Sequence, residues 1–267
     1  MIQNFENLEV KKLQQKFLKN GYLICNFKNK NKIIKIQKIL TKKIKKKLKI
    51  KSSNPNLLNN LHKNIKVNKL NDLRLALINE INKDIFFKET LYKEAKEILD
   101  LIVGNELAIQ KNLNLSIQLP KDNSSLLEIH SDTFSGESPY QVVLWVPLVD
   151  VFDTKSMFVF PLNESLKTVK NLGKLYSLKK YFEKNKKKAN FLKIKFGQFL
   201  IFTPNLLHGN TINKTNETRF SLNIRLKSLF SPYNKIKGND RKLGYFYLPL
   251  NIKPMTIIGS KYELPKF

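Results

Sequence analysis

This chain reads as a mixed α+β protein in which helices come first and a β framework follows. Three observations carry that reading. Up to Gly104, apolar residues recur at three- and four-residue steps, the spacing that lines one face of a helix. From about residue 106 the period drops to two, with Leu113, Leu115, Ile117 and Leu119 alternating with Asn114, Ser116 and Gln118. From there to residue 230, short apolar runs alternate with turn-forming clusters. The 267 residues suffice for one large domain, with a mainly helical part at 1–104, a β core at 105–230 and a tail at 231–267.

Residues 8–20 carry Leu8, Leu13, Phe17 and Leu18 on one side of a helix, and Gly21 is placed to end it. Tyr22–Phe27 is a short strand. Ile33, Ile36, Leu40, Ile44 and Leu48 make residues 31–50 an amphipathic helix whose lysines form the wet face, and Ser52–Asn56, with Pro55, breaks it. His62 sits in a polar stretch with no ligand at short spacing and reads as a surface or linker histidine. Residues 70–84 and 86–102 are two further helices, apolar at Leu73, Leu75, Leu77 and Ile78, then at Leu91, Ala95, Ile98 and Leu99.

In the β half, the polar face of Asn114, Ser116 and Gln118 can look into a wet site or out to solvent. Three polar groups in register favour the interior, which makes Asn114 and Gln118 candidate contacts for a cosubstrate or substrate. Leu126–His130 is the next strand, and Thr133–Pro139 a polar loop. Gln141–Leu148 is strongly apolar and holds the single Trp, Trp145, a core residue or a pocket wall. Met157–Pro161 returns the chain after a turn at 150–156. Residues 162–190 form a Lys- and Asn-rich insertion, helical around 164–185, whose Lys186–Lys188 run is solvated. Strands at 191–195 and 198–203 flank Gly197, and Thr218–Leu229 is a long last strand with Arg219, Ser221, Asn223 and Arg225 on one face. The tail is irregular, and either covers the mouth of the β core as a lid or simply packs.

The net charge of +28 would point to nucleic acid or an anionic membrane surface, but 45 of the 49 basic residues are Lys. Arg stands only at positions 74, 219, 225 and 241, whereas surfaces that read phosphate use the guanidinium fork. A solvated lysine exterior explains the charge, and attraction of an anionic small molecule is the sharper alternative. One cysteine, Cys25, rules out an internal disulfide and fits a reducing, cytoplasmic setting. Met1–Glu9 lacks a basic start followed by an apolar core, so no signal peptide is expected, and no apolar run approaches the ~20 residues of a membrane span.

The chemistry concentrates in His130-Ser131-Asp132, a second histidine, His208, 76 residues after Asp132, and Arg219 a further 11 residues on. Two imidazoles and one carboxylate on a β framework suit an octahedral divalent metal with open positions. On a continuous strand, residues two apart face the same way about 6–7 Å apart, a gap that side chains close around one ion. Gly209 lets the backbone pass close to a bulky centre.

These residues resemble the Fe(II)- and 2-oxoglutarate-dependent dioxygenases, more narrowly the phytanoyl-CoA hydroxylase-like branch, over about residues 105–230. His130–Val143, with Asp153–Met157, is similar to oxygenases of sporadic surface-carbohydrate gene clusters. The resemblance implies a double-stranded β-helix, a jelly-roll or cupin-like barrel with the N-terminal helices packed on one sheet. It implies Fe(II) held by His130, Asp132 and His208, with 2-oxoglutarate and O2 as cosubstrates. Arg219 would grip the distal carboxylate of 2-oxoglutarate and Ser221 would add a hydroxyl, with Asn114 beside them; Arg225 is the competing choice for that carboxylate. The substrate implied is small and polar or anionic, such as a sugar or nucleotide sugar, with Gln118, Thr133, Trp145, Lys155 and Arg225 as candidate contacts. An acidic ligand is retained at Asp132, where Gly or Ala would open a halide position, so hydroxylation or a related oxidation is favoured over halogenation. The chain departs from the family at Thr154-Lys155-Ser156, where a Gly-rich turn is common, and at Pro161–Glu164, both on the substrate side. Two alternatives remain: a cupin-type metal enzyme that does not use 2-oxoglutarate, and a lysine-driven nucleic-acid or membrane binder on a barrel scaffold.

Overall fold

The computed structural model describes residues 8–51, 54–171, 177–233 and 241–261. Four helices open the chain: α1 (Leu8–Asn20), α2 (Lys30–Leu48), α3 (Val67–Lys83) and α4 (Ile85–Ile102), with β1 (Tyr22–Asn26) between the first two. Gly21 ends α1 with a positive φ of 75°. Asn29 caps α2 by accepting the N–H of Asn31, and Asp84 caps α4 by accepting that of Phe86. Ile33, Ile36, Leu40 and Ile44 of α2 are all fully buried, each stabilising by about 1.5–3 kcal/mol relative to exposure. On α3 the buried stripe is Leu70, Leu73, Leu77 and Ile81, while Leu75, expected on the apolar side, is 48% exposed. The i+2 step from Leu73 turns Leu75 about 200° around the helix, away from the sheet.

The β half adds β2 (Leu107–Gln110), β3 (Asn114–Gln118), β4 (Gln141–Pro147), β5 (Phe158–Val159), β6 (Asn190–Phe191), β7 (Gln198–Phe202), β8 (His208–Gly209), β9 (Arg219–Ser228) and β10 (Tyr247–Leu250). Seven strands form an antiparallel sheet in the order β1-β7-β4-β9-β2-β10, with β3 also pairing β9. A smaller sheet runs β6-β5-β8. The ten-residue β9 is long enough to hold β3 along Arg219–Asn223 and β2 along Leu226–Ser228 on one side, and β4 on the other. Its outward residues Phe220, Leu222, Ile224 and Leu226 are buried in one core with the helices, where Phe27 meets Phe199 edge to face at 5.5 Å. This is a helix-backed, two-sheet jelly roll.

Several expectations change in detail. Leu126–His130 is extended but forms only one bridge, from His130 to His208, and Asp132 begins a 3₁₀ turn, Asp132–Ser135, instead of prolonging a strand. The insertion splits into α5 (Leu162–Lys170) and α6 (Leu178–Asn185), and its residues 172–176 lie outside the described ones, as do Ser52 and Ser53 of the expected helix break. The strand expected at 191–195 is only Asn190–Phe191, although Ile194 bridges Val151. The tail is not wholly irregular. It supplies the last strand, β10, whose Pro249 pairs in register with Ala108, and a short helix, α7 (Pro254–Gly259). The buried Tyr247 hydroxyl reaches Glu137 and Gln141, tying the tail to the loop beyond Asp132. No described helix is long and apolar enough to cross a membrane.

Lys155, expected to meet substrate, is wholly buried elsewhere: its Nζ pairs with Glu217 at 2.6 Å and donates to Asn59 at 2.9 Å. His62 lies in the same knot, its Nδ1 3.0 Å from the Thr218 hydroxyl, so it is half-buried and partnered. These contacts clamp the loop before β9 onto the 59–62 segment. Lys155→Met should therefore lower unfolding free energy by about 1–3 kcal/mol in urea titrations, discounted because Glu217 can turn to water, while divalent-metal binding by the folded protein is retained.

Candidate metal centre

His130 and His208 face each other across a two-residue bridge in which each backbone N–H donates to the other's carbonyl at 2.9 Å. Directly paired residues of antiparallel segments project to one side, so the two rings stand with centroids 4.3 Å apart. Each imidazole is oriented from behind. Nδ1 of His130 lies 2.7 Å from the Glu128 carbonyl and Nδ1 of His208 lies 2.9 Å from that of Leu206. A carbonyl only accepts, so both Nδ1 atoms carry the proton and both Nε2 lone pairs are free for a metal. Gly209 follows because the segment before His130 crosses it: a Cβ there would stand 2.8 Å from the Leu127 oxygen and 3.0 Å from that of Glu128.

Asp132 reaches the same point by a different route. Its backbone N–H and the Ser131 hydroxyl both donate to the Pro204 carbonyl, fixing the start of the 3₁₀ turn. Oδ1 lies 3.4 Å from His130 Nε2 and 3.8 Å from His208 Nε2, while Oδ2 accepts from Arg225 Nη2 at 3.1 Å. One oxygen is thus left for a metal and the other is held aside. Arg225 is itself held by Glu137, 3.2 Å from its Nε, and Glu137 also pairs with Arg241. One ligand atom from each of His130, Asp132 and His208 lies within 4.8 Å of the others, a spacing that can hold a metal ion.

The electrostatics match. Burial pushes the Asp132 carboxyl upward, but the neighbouring His130 and the Arg225 guanidinium outweigh it and hold it well below the usual carboxylate range. Burial and the neighbouring His130 push His208 down to about 4, so its imidazole is neutral and ready to ligate.

The triad opens into a cavity of about 480 Å³. Arg219 lines it, buried to 5% exposure, with Nη2 donating to Ser116 at 3.2 Å and Nε without a partner. Among the described residues it has no carboxylate partner, and the buried Ser221 hydroxyl has none of any kind. Burial pushes Arg219 down to about 10, which leaves it a cation at neutral pH. A desolvated charge with unspent donors is costly unless an anion completes it, so Arg219 fits an acidic ligand beside the metal, whereas Ser221, expected to share that role, is fully buried and is not among the residues lining the cavity.

Asn114, Trp145 and Arg225 line the same cavity. Gln118 does not: it is fully buried and its Nε2 donates to the Thr211 carbonyl at 2.7 Å. Thr133 lies off the cavity as well, its hydroxyl 2.6 Å from that of Ser131. Sequence reasoning did not single out Arg74 or Asn210, which also form the wall. The scarcity of arginine is the signal that could have found Arg74.

No protein-family model matches this sequence, and no curated protein matches it. Solved structures do share its fold. The epimerase SnoN from nogalamycin biosynthesis, crystallised with Fe3+, alpha ketoglutarate and nogalamycin RO, is similar with a TM-score of 0.54 at 13% identity, covering 85% of this chain and 86% of that one. The non-heme alpha ketoglutarate-dependent carbocyclase SnoK gives 0.52 at 11% identity over 92% and 97%. HygX from Streptomyces hygroscopicus gives 0.50 at 13% identity over 84% and 88%. The double-stranded β-helix of these proteins is therefore the fold of this chain.

The His208 shift gives a test on metal-free protein. Its imidazole titrates from 6.5 when unfolded and about 4 when folded. Between those values the unfolded chain binds the extra proton, so this contribution is fully present above pH 6.5 and lost as pH falls toward 4. Urea unfolding in chelator should show that loss as about 3 kcal/mol, and His208→Asn should flatten the slope over the same window.

Proposed function

We propose that this chain is an Fe(II)- and 2-oxoglutarate-dependent oxygenase acting on a small polar substrate. The observation that carries the reading is Arg219, a buried guanidinium in the triad's cavity with no acidic partner among the described residues. His130, Asp132 and His208 would hold the metal on one face, leaving its other positions open. Arg219 would take the distal carboxylate of the 2-oxoacid through Nε and Nη. Arg225 is already spent on Asp132 and Glu137, which favours Arg219 over Arg225 for that role.

When bound, iron and 2-oxoglutarate supply O2 activation coupled to oxidative decarboxylation, the hard chemistry of the site. The protein's part is geometry. The bridge between His130 and His208 sets the ligand face, and Arg225 keeps Asp132 to one coordinating oxygen. Trp145 and Val143 wall the cavity on the sheet side, while Asn114 and Asn223, bonded to each other through one end of each amide, offer their other ends to a hydroxylated substrate. A sugar or nucleotide sugar fits that lining and the resemblance to carbohydrate-cluster oxygenases, with hydroxylation or a related oxidation as the outcome.

Anaerobic titration of Fe(II)-loaded protein with 2-oxoglutarate should produce a weak visible charge-transfer band. Arg219→Ala should raise the half-saturating concentration at least about thirtyfold, since it removes one partner of a buried charge pair. An unchanged titration in that variant would leave a metal enzyme of the same barrel that does not use 2-oxoglutarate.

A further inference from the structure

The chain has 45 Lys and only four Arg, at positions 74, 219, 225 and 241. Scattered use would spread them over the lysine-rich exterior. Instead Arg74, Arg219 and Arg225 all line the one cavity beside the triad, and Arg241 pairs with the Glu137 that holds Arg225. A chain so sparing with arginine has kept it where a flat, forked, permanently charged donor does something that lysine does not.

Two of the three cavity guanidinium groups have tasks. Arg225 orients Asp132, and Arg219 faces the proposed cosubstrate. Arg74 has none inside the protein: among the described residues it pairs with no carboxylate. It comes from α3, one turn before Ile78, which lines the same wall. Its Nη2 donates to the exposed Asn71, one turn earlier on the same helix, at 2.6 Å, and the residue itself is half-buried. The proposed metal and 2-oxoglutarate would engage the triad and Arg219, and Arg74 would still stand at the wall without a carboxylate partner among the described residues.

We infer that Arg74 is a specificity-determining residue that binds an oxyanion substituent, phosphate or carboxylate, on the substrate. This rests on the oxygenase reading and narrows it: the substrate class is an anionic small molecule, a phosphorylated sugar or a sugar acid, not a neutral one. Positively charged side chains at a cavity wall raise the local concentration of such anions, and a guanidinium contributes two parallel hydrogen bonds to either group.

Trp145 is the single tryptophan and lines this cavity, so its fluorescence reports occupancy directly, without turnover. The experiment loads the protein anaerobically with Mn(II) and 2-oxoglutarate, then titrates glucose, glucose 6-phosphate and glucuronate while reading Trp145 emission. One or both anionic sugars should perturb it at concentrations where glucose does not, and the arm that responds tells phosphate from carboxylate. Arg74→Gln should weaken that response about tenfold or more, with Arg74→Lys in between. Glucose acting as strongly as its anionic counterparts, no response to either anion, or an unaltered response in Arg74→Gln overturns the inference. The 2-oxoglutarate step is read first in the same cuvette: no change in emission there counts against the oxygenase reading itself, and a normal cosubstrate response in Arg74→Gln shows that the variant is folded.

Discussion

Two backbone hydrogen bonds, exchanged between His130 and His208, are the constraint on which this centre rests. They join the small sheet to a segment with no other ladder, and they turn two histidines far apart in sequence into a facing pair. Everything else at the site adapts to that pairing. Gly209 has no side chain because the partner segment passes within contact of it. The carbonyls of Glu128 and Leu206 hold the rings by their far nitrogens. Asp132 comes in from a 3₁₀ turn pinned to Pro204.

The large sheet makes this possible by having two different faces. Along β9, Phe220, Leu222, Ile224 and Leu226 go into the core shared with the helices, and Arg219, Asn223 and Arg225 go into the cavity. The period of two therefore separates stability from chemistry along one strand. The helices cover the apolar face and give the polar one a rigid backing. The charges on the polar face are kept in order by neighbours: Glu137, itself fully buried, holds both Arg225 and Arg241 and receives the Tyr247 hydroxyl from the tail.

Much of this was legible in the residues. The first helix ends where Gly21 said it would, the strand after it stops at Asn26, one residue short of the expected Phe27, and the alternation at 113–119 marks β3. His130, Asp132 and His208 do come together, although the reason offered, a continuous strand through Asp132, does not hold. The strand stops because the Asp132 N–H goes to Pro204, a contact 72 residues away that no local pattern contains. Lys155 escaped for a similar reason. Its neighbours in sequence suggest a polar turn beside substrate, while its partners Asn59 and Glu217 come from distant segments and take it into the interior. Gln118 has the right face but the wrong depth, since the Thr211 carbonyl intercepts it before the cavity. Tail strand β10 was hidden because its pairing with β2 depends on a return of more than a hundred residues.

That last strand carries a quiet safeguard. A sheet's outermost strand normally offers a row of vacant donors and acceptors onto which another chain can zip. Here the position is filled by a four-residue piece with Pro249 in its middle, and proline has no N–H to give. The sheet can thus be broad enough to back an open cavity without presenting a sticky rim on that side, and a short stretch of the chain itself serves as the selvage that keeps the fabric from fraying into its neighbours.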